Sequence, residues 1–476
     1  MMERRTSQET PVDLIEGGQF LIAEEIFSER RTDDPMEMVV RAEVEMYFGR
    51  LDQAGTILEQ VAPRAADIDV AARFSLAAGR LELWRGDCHK ANTHLQTAYY
   101  FYNFQQDPFR TSQALLELGR LARLRVELED ANSKLTAAFD GIKGRTSKRS
   151  EFLRGQVSSE LGRTTGEQGY FDQAIEHYAN ALKMLKATER GRYYARTLVS
   201  LALLKCQMGE YQDSLELFKE ANIVFERYDL KQDLSETHLE LARALMRLQR
   251  YERAERLCEE SRDLRRGSPL GEAQAFSLLA ILGLKRNGAE EAAGYAANAL
   301  EMADESNSRE ARAEARITVG QVKLLERDFP QAAEILNEAS SIARGDGNEP
   351  VSAQNRTLEL EATIYLAEAY HNTDTRAGRV ELARGAELMN TVKDFWLGQE
   401  YARVANKYEE QIVFTEDNRL VFDGNQLPKW QEAKRTLEGF LLRNALRQTN
   451  NSLTKAARKL GVSKVHVHNL KKKHNI

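Results

Sequence analysis

The chain has 476 residues, is 42% hydrophobic and contains only 8 prolines, which gives enough apolar surface for a core and favours helix. Acidic residues outnumber basic ones by 73 to 67, a formal net charge of −6. The cysteines Cys88, Cys206 and Cys258 are too scattered for a disulfide framework or a metal motif, no apolar run approaches the ~18 residues of a membrane span, and the first ten residues hold no signal-like apolar run; the expectation is a cytoplasmic protein without a membrane segment.

From the N-terminus the predicted elements are helix pairs. Within 160–181 and 200–221 the same pattern recurs: a small residue in a first helix (Gly162, Ala202), a glycine seven positions on (Gly169, Gly209), an aromatic two further (Phe171, Tyr211). A second helix follows with a small residue (Ala174, Ser214), an aromatic (Tyr178, Phe218) and an alanine (Ala181, Ala221). The first-helix small residue recurs at Ala42, Gly79, Gly119, Gly162, Ala202, Ala242, Ala280 and Gly320, in steps near 40. The second-helix small residue recurs at Ala23, Ala54, Ala91, Ala131, Ala174, Ser214, Ala254, Ala292, Ala332 and Ala383. Small residues let paired helices approach, and larger side chains fill the gap to the next pair.

This pattern resembles the tetratricopeptide repeat, in a lengthened form, over roughly residues 12 to 410. The resemblance implies an all-α, TPR-like α-solenoid superhelix of about ten helix pairs within residues 1–410, with a concave surface for a protein or peptide partner. The first repeat reads as incomplete, with Gly17, Gly18, Phe20 and Ala23 matching, and the last as carrying an insertion before Gly378, around 371–376. The periodicity absorbs several tempting residues. Cys88 and Cys258 fall on packing slots, Trp84 and Tyr99 to Tyr102 read as packing groups at helix ends, and the histidines of the body show no ligand spacing. No nucleophile–base constellation is visible, so the expectation is no enzyme, no cofactor and no metal.

Residues 411–428 break the helical period. Two β-branched and aromatic runs flank Glu416 to Arg419, and Asp423-Gly424 closes the second; a short β-hairpin linker is expected there.

Residues 429–476 carry 12 Lys and Arg against two acids, Glu432 and Glu438, whereas the remainder holds 55 basic and 71 acidic residues. Such asymmetry suggests a nucleic-acid element on an acidic body. The spacing predicts helices over about 430–448 and 453–460, a turn at Gly461 and a third helix capped by Ser463. Leu437, Phe440, Leu441 and Leu446 are expected to face inward on the first, and Val462, Val467 and Leu470 on or beside the third.

The run Asn450-Asn451, Ala456-Ala457, Leu460-Gly461-Val462-Ser463-Lys464 and His466-Val467 resembles the Fis-type helix-turn-helix. The resemblance implies a three-helix DNA-binding domain in which Lys464, His466 and Asn469 reach base edges and Asn451, Thr454 and Lys455 lie near phosphates. Ser463, Lys472 and Lys473 complete the expected interface. Relatives of the NtrC type add an ATPase, but this chain has no phosphate-binding loop; 141–148 lacks the spacing. The functional expectation is a bacterial transcription regulator, a homodimer on double-stranded DNA, cytoplasmic and nucleoid-associated when bound. The alternative is a repeat scaffold that joins proteins without reading DNA.

Overall fold

The structure is a computed structural model that describes residues 10–29, 32–62, 67–186, 191–286, 288–345, 351–409, 430–449 and 451–474. The described residues form 24 α-helices and no strand. They divide into two compact units, Met1–Val404 and Ala405–Ile476. The expected hairpin at 411–428 lies outside the described residues.

Ten antiparallel pairs build the first unit. In order they are α1 (Pro11–Glu16) with α2 (Phe20–Glu29), α3 (Pro35–Tyr47) with α4 (Leu51–Val61), α5 (Ile68–Arg85) with α6 (Cys88–Phe104), α7 (Pro108–Leu124) with α8 (Leu128–Gly141), and α9 (Lys148–Glu167) with α10 (Phe171–Lys186). Then come α11 (Arg192–Gln207) with α12 (Tyr211–Arg227), α13 (Lys231–Arg247) with α14 (Tyr251–Leu264), α15 (Pro269–Lys285) with α16 (Ala289–Glu305), α17 (Arg309–Leu325) with α18 (Phe329–Arg344), and α19 (Ala353–His371) with α20 (Thr375–Leu388). Helix α21 (Phe395–Glu409) follows.

The periodic small residues sit where the paired helices touch. A Cβ at Gly79 would lie 2.6 Å from Leu95 Cδ2, at Gly119 2.7 Å from Leu135 Cγ, at Gly162 2.8 Å from the Tyr178 ring and at Gly320 2.5 Å from Leu336 Cγ. Each facing side chain stands four positions after the second-helix small residue, so both series describe one knob and one hole. Cys258 occupies this knob position and is fully buried; burial pushes its thiol up to about 12. Seven positions after the small residue the chain turns in the left-handed region. Glycine fills this slot at 49, 86, 169 and 209, while Val126, Gln249 and Arg327 adopt the same φ of 59–62° there.

The last pair corrects two expectations. Helix α20 starts at Thr375, and its buried small residue is Gly378, three positions in; Ala383 is exposed. Helix α18 ends at Arg344 and α19 begins only at Ala353, whereas just three residues separate the end of α19 at His371 from the start of α20 at Thr375.

The solenoid winds back on itself. Phe20 stacks on Tyr47 with centroids 4.0 Å apart and packs beside Phe152 and Tyr193, bringing α2 and α3 against α9 and α11. The Arg192 amide donates to the Tyr47 hydroxyl at 2.7 Å, and its guanidinium donates to Met46 O at 3.0 Å. Further along, Arg243 on α13 reaches Glu314 on α17 at 2.6 Å, and Arg247 lies over the Trp396 ring of α21.

The second unit contains three helices, α22 (Trp430–Gln448), α23 (Leu453–Leu460) and α24 (Lys464–Lys473), around a core of Leu442, Ala445, Leu446, Ala456, Ala457 and Val467. Ser452 caps α23, Gly461 ends it at φ 65°, and Ser463 caps α24. Three inward assignments are corrected. Leu437 and Leu441 are each 44% exposed, because α23 presses Ala456 and Ala457 against the face one residue further round, at Leu442, Ala445 and Leu446. Val462 is also exposed, lying in the turn before the Ser463 cap rather than on α24.

Candidate ligand cavity and candidate nucleic-acid interface

The wound solenoid encloses a cavity of about 920 Å³ within the first unit. Its wall comes mostly from the odd-numbered helices, whose small residues face their partners and whose neighbouring positions face inward. A ladder of buried charge runs along one half. Arg73 joins Glu16 at 3.2 Å and Glu43 at 2.8 Å; Arg80 joins Glu43 at 2.5 Å and Glu117 at 2.8 Å. Arg120 continues from Glu117 at 2.9 Å to Glu160 at 3.1 Å, and Arg123 reaches Glu167 at 2.7 Å. The ladder ties α1, α3, α5, α7 and α9 together. Burial opposes the charge on Glu160, but Arg120, Arg163 and Arg123 outweigh it and hold the carboxyl near 2. Glu117 is likewise held low against burial by Arg120 and Arg80.

The other half is poorer in cations. Glu240, Glu310, Glu314, Glu361 and Asp394 face it together with only Arg243 and Arg247. Burial pushes Glu361 up to about 7; Glu314 and Asp394 add to the effect, and Arg247 and Arg243 oppose it. Burial also raises Glu240 and Asp394. The Gln321 amide donates to Glu361 at 3.5 Å.

Trp84, read in the sequence as a packing group at a helix end, packs against arginines and also borders the cavity. It is 42% exposed and has Arg192 and Arg196 over its ring at 4.9 and 4.8 Å. The charged wall was not singled out in the sequence, although a signal exists. The run Glu117-Leu118-Gly119-Arg120 recurs as Glu160-Leu161-Gly162-Arg163 and Glu240-Leu241-Ala242-Arg243. A carboxylate two before and a guanidinium one after the helix-contact residue share one inward face.

In the second unit, Thr454, Lys455, Lys464, His466, Asn469 and Lys472 are exposed, as is Asn451, which turns the chain at φ 59° between α22 and α23. Lys464, His466, Asn469 and Lys472 lie on α24 away from the buried Val467. Val465, not anticipated, stands between them at 70% exposure. Two expected residues are engaged otherwise. The Ser463 hydroxyl accepts from the His466 amide at 3.0 Å, and Lys473 pairs with Glu438 of α22 at 2.9 Å, next to His474. Among the described residues there is no cluster of three or more metal-ligating side chains, and no helix is long and apolar enough to cross a membrane.

A tetratricopeptide-repeat family model matches residues 154–221. Among solved structures, the apo form of the quorum sensor NprR from B. thuringiensis aligns with a TM-score of 0.54 at 15% identity, over 77% of this chain and 99% of that one. The apo form of RapI aligns with a TM-score of 0.50 at 16% identity, over 79% of this chain and 98% of that one. No curated protein matches the chain. At these identities the structural likeness establishes the fold, a TPR-like helical solenoid.

Proposed function

We propose that the chain is a DNA-binding regulator: the solenoid cavity takes a peptide or a protein segment, and the C-terminal unit reads double-stranded DNA as a helix-turn-helix. The observation that carries the DNA half is the outward face of α24. Lys464, His466, Asn469 and Lys472 are all exposed there, while Val467 is fully buried. A basic helix held by a short turn on a small core can enter a major groove, with lysines on phosphates and a few polar side chains on base edges. Val465 on the same face suits contact with a thymine methyl. The cavity supports the ligand half, because it offers aromatic walls and fixed charges in a volume typical of ligand sites. The fold is shared with a protein described as a quorum sensor, which is compatible with a ligand-responsive body. Two copies on a two-fold symmetric site would supply the affinity that one short helix lacks.

A mobility-shift experiment on the full chain with sheared genomic DNA, at low and at physiological salt, tests this. Retardation that weakens steeply with salt is expected. Absence of any shift at low salt would leave the scaffold alternative, in which the solenoid joins proteins only.

A further inference from the structure

The cavity is electrically polarised along its length. The wall contributed by residues up to 207 carries seven arginines against five carboxylates, and the wall from residue 211 onward carries two arginines against five carboxylates. Within the first wall most charges are consumed by the ladder; Arg163 and Arg196, each with a side chain 34% exposed, make longer pairs, at 3.5 Å from Glu160 and from Asp233. Arg196 and Arg192 lie over the Trp84 ring, and Arg192, only 3% exposed and paired with Asp233 at 2.9 Å, keeps an Nε without a hydrogen-bond partner. The second wall brings Glu314, Glu361 and Asp394 beside Trp396. Burial raises both Glu361 and Asp394; at Glu361 the neighbouring Glu314 and Asp394 add to it, and Arg247 opposes it at both without cancelling it.

We propose that the cavity holds a short peptide in one direction, with a primary ammonium against Glu314, Glu361 and Asp394 and a carboxylate against Arg163 and Arg196 beside Trp84. This rests on the peptide reading above and adds the polarity. Each end supplies what the other would repel: a carboxylate at the acidic wall faces an excess of carboxylates, with Arg243 already paired to Glu314 at 2.6 Å, and an ammonium at Trp84 faces two guanidiniums. Trp84 on one wall and Trp396 on the other provide flat apolar surface for the intervening residues.

The test uses the full chain and a synthetic library of peptides about six residues long, a size suited to the cavity. The library is made in four forms: both ends free, amino-acetylated, carboxy-amidated, and doubly blocked. Peptides retained by the protein are identified by mass spectrometry. Acetylation and amidation should each weaken retained sequences by about tenfold or more, the scale of one lost charge-assisted contact. Glu361→Gln should abolish the sensitivity to acetylation and leave that to amidation, and Arg196→Gln should do the reverse; Arg163→Gln is the second variant at that end. Retained acetylated peptides that all carry lysine would identify a side chain as the ammonium and support the same polarity. Retention that ignores every block and both substitutions would overturn the polarity alone. Retention of no peptide would overturn the peptide reading and the polarity with it.

Discussion

Replacing Glu361 with glutamine should stabilise the ligand-free chain in alkaline solution and change little in acid. Burial between α13, α17, α19 and α21 pushes this carboxyl up to about 7, with Glu314 and Asp394 adding negative charge and Arg247 and Arg243 compensating only in part. In the unfolded chain the group titrates near the usual value of about 4.3. The folded state therefore holds the proton more tightly. Its favourable contribution is complete below the unfolded value and is lost as pH rises through about 7. At about 1.36 kcal/mol per pKa step the ceiling is about 3.7 kcal/mol. Glu361 keeps part of its surface in the cavity, so solvent screening lowers the figure to about 1–2 kcal/mol. Glutamine removes the charge at every pH. Thermal unfolding of both proteins at pH 5 and pH 8 reads the difference: a Tm higher by about 2–4 °C for the variant at pH 8, and a difference of about 1 °C or less at pH 5. An equal shift at the two pH values, or a less stable variant at pH 8, would refute the assignment of an under-compensated carboxylate to this wall.

Other substitutions probe the body. Arg73→Ala removes the partner shared by Glu16 and Glu43 at the start of the ladder and should cost about 3–5 kcal/mol, seen as a lower Tm at pH 7. Gly320→Val places a Cβ 2.5 Å from Leu336 Cγ and should cost about 1–3 kcal/mol, with part of the loss recovered by adding Leu336→Ala. Val126→Gly should raise stability by about 1 kcal/mol in the same assay, because the valine sits at φ 62° in a turn slot that four other repeats fill with glycine.

The repeat architecture was legible because a helix contact that tolerates no side chain leaves a periodic mark, and Gly79, Gly119 and Gly320 carry it. Counting by period drifts once a connection lengthens. The longer link between Arg344 and Ala353 moved the last repeat off register, so Ala383 was taken where Gly378 packs. In the tail, helix bounds followed from Ser452, Gly461 and Ser463, whereas the buried face of α22 was set by where Ala456 and Ala457 press, which sequence spacing does not specify. The cavity was the least legible feature. Glu16 and Arg73 are 57 positions apart and Tyr47 and Arg192 are 145 apart, so only the closing of the solenoid brings them together. The repeated Glu-Leu-Gly/Ala-Arg run marks an inward charged face, but gives no hint that opposite faces meet around an enclosed space. The place of Trp84 on the cavity wall was hidden for the same reason, since its ring packs with arginines three repeats away.

The central claim is that the outward face of α24 reads DNA sequence. Selection of bound fragments from sheared genomic DNA by the full chain, followed by the same selection with Asn469→Ala and with Lys455→Ala, tests it most directly. The account predicts a defined set of enriched fragments, a changed set for Asn469→Ala, and the same set bound more weakly for Lys455→Ala, because the first side chain faces bases and the second a phosphate. Enrichment of no fragment, or an unchanged set and affinity in both variants, would contradict it.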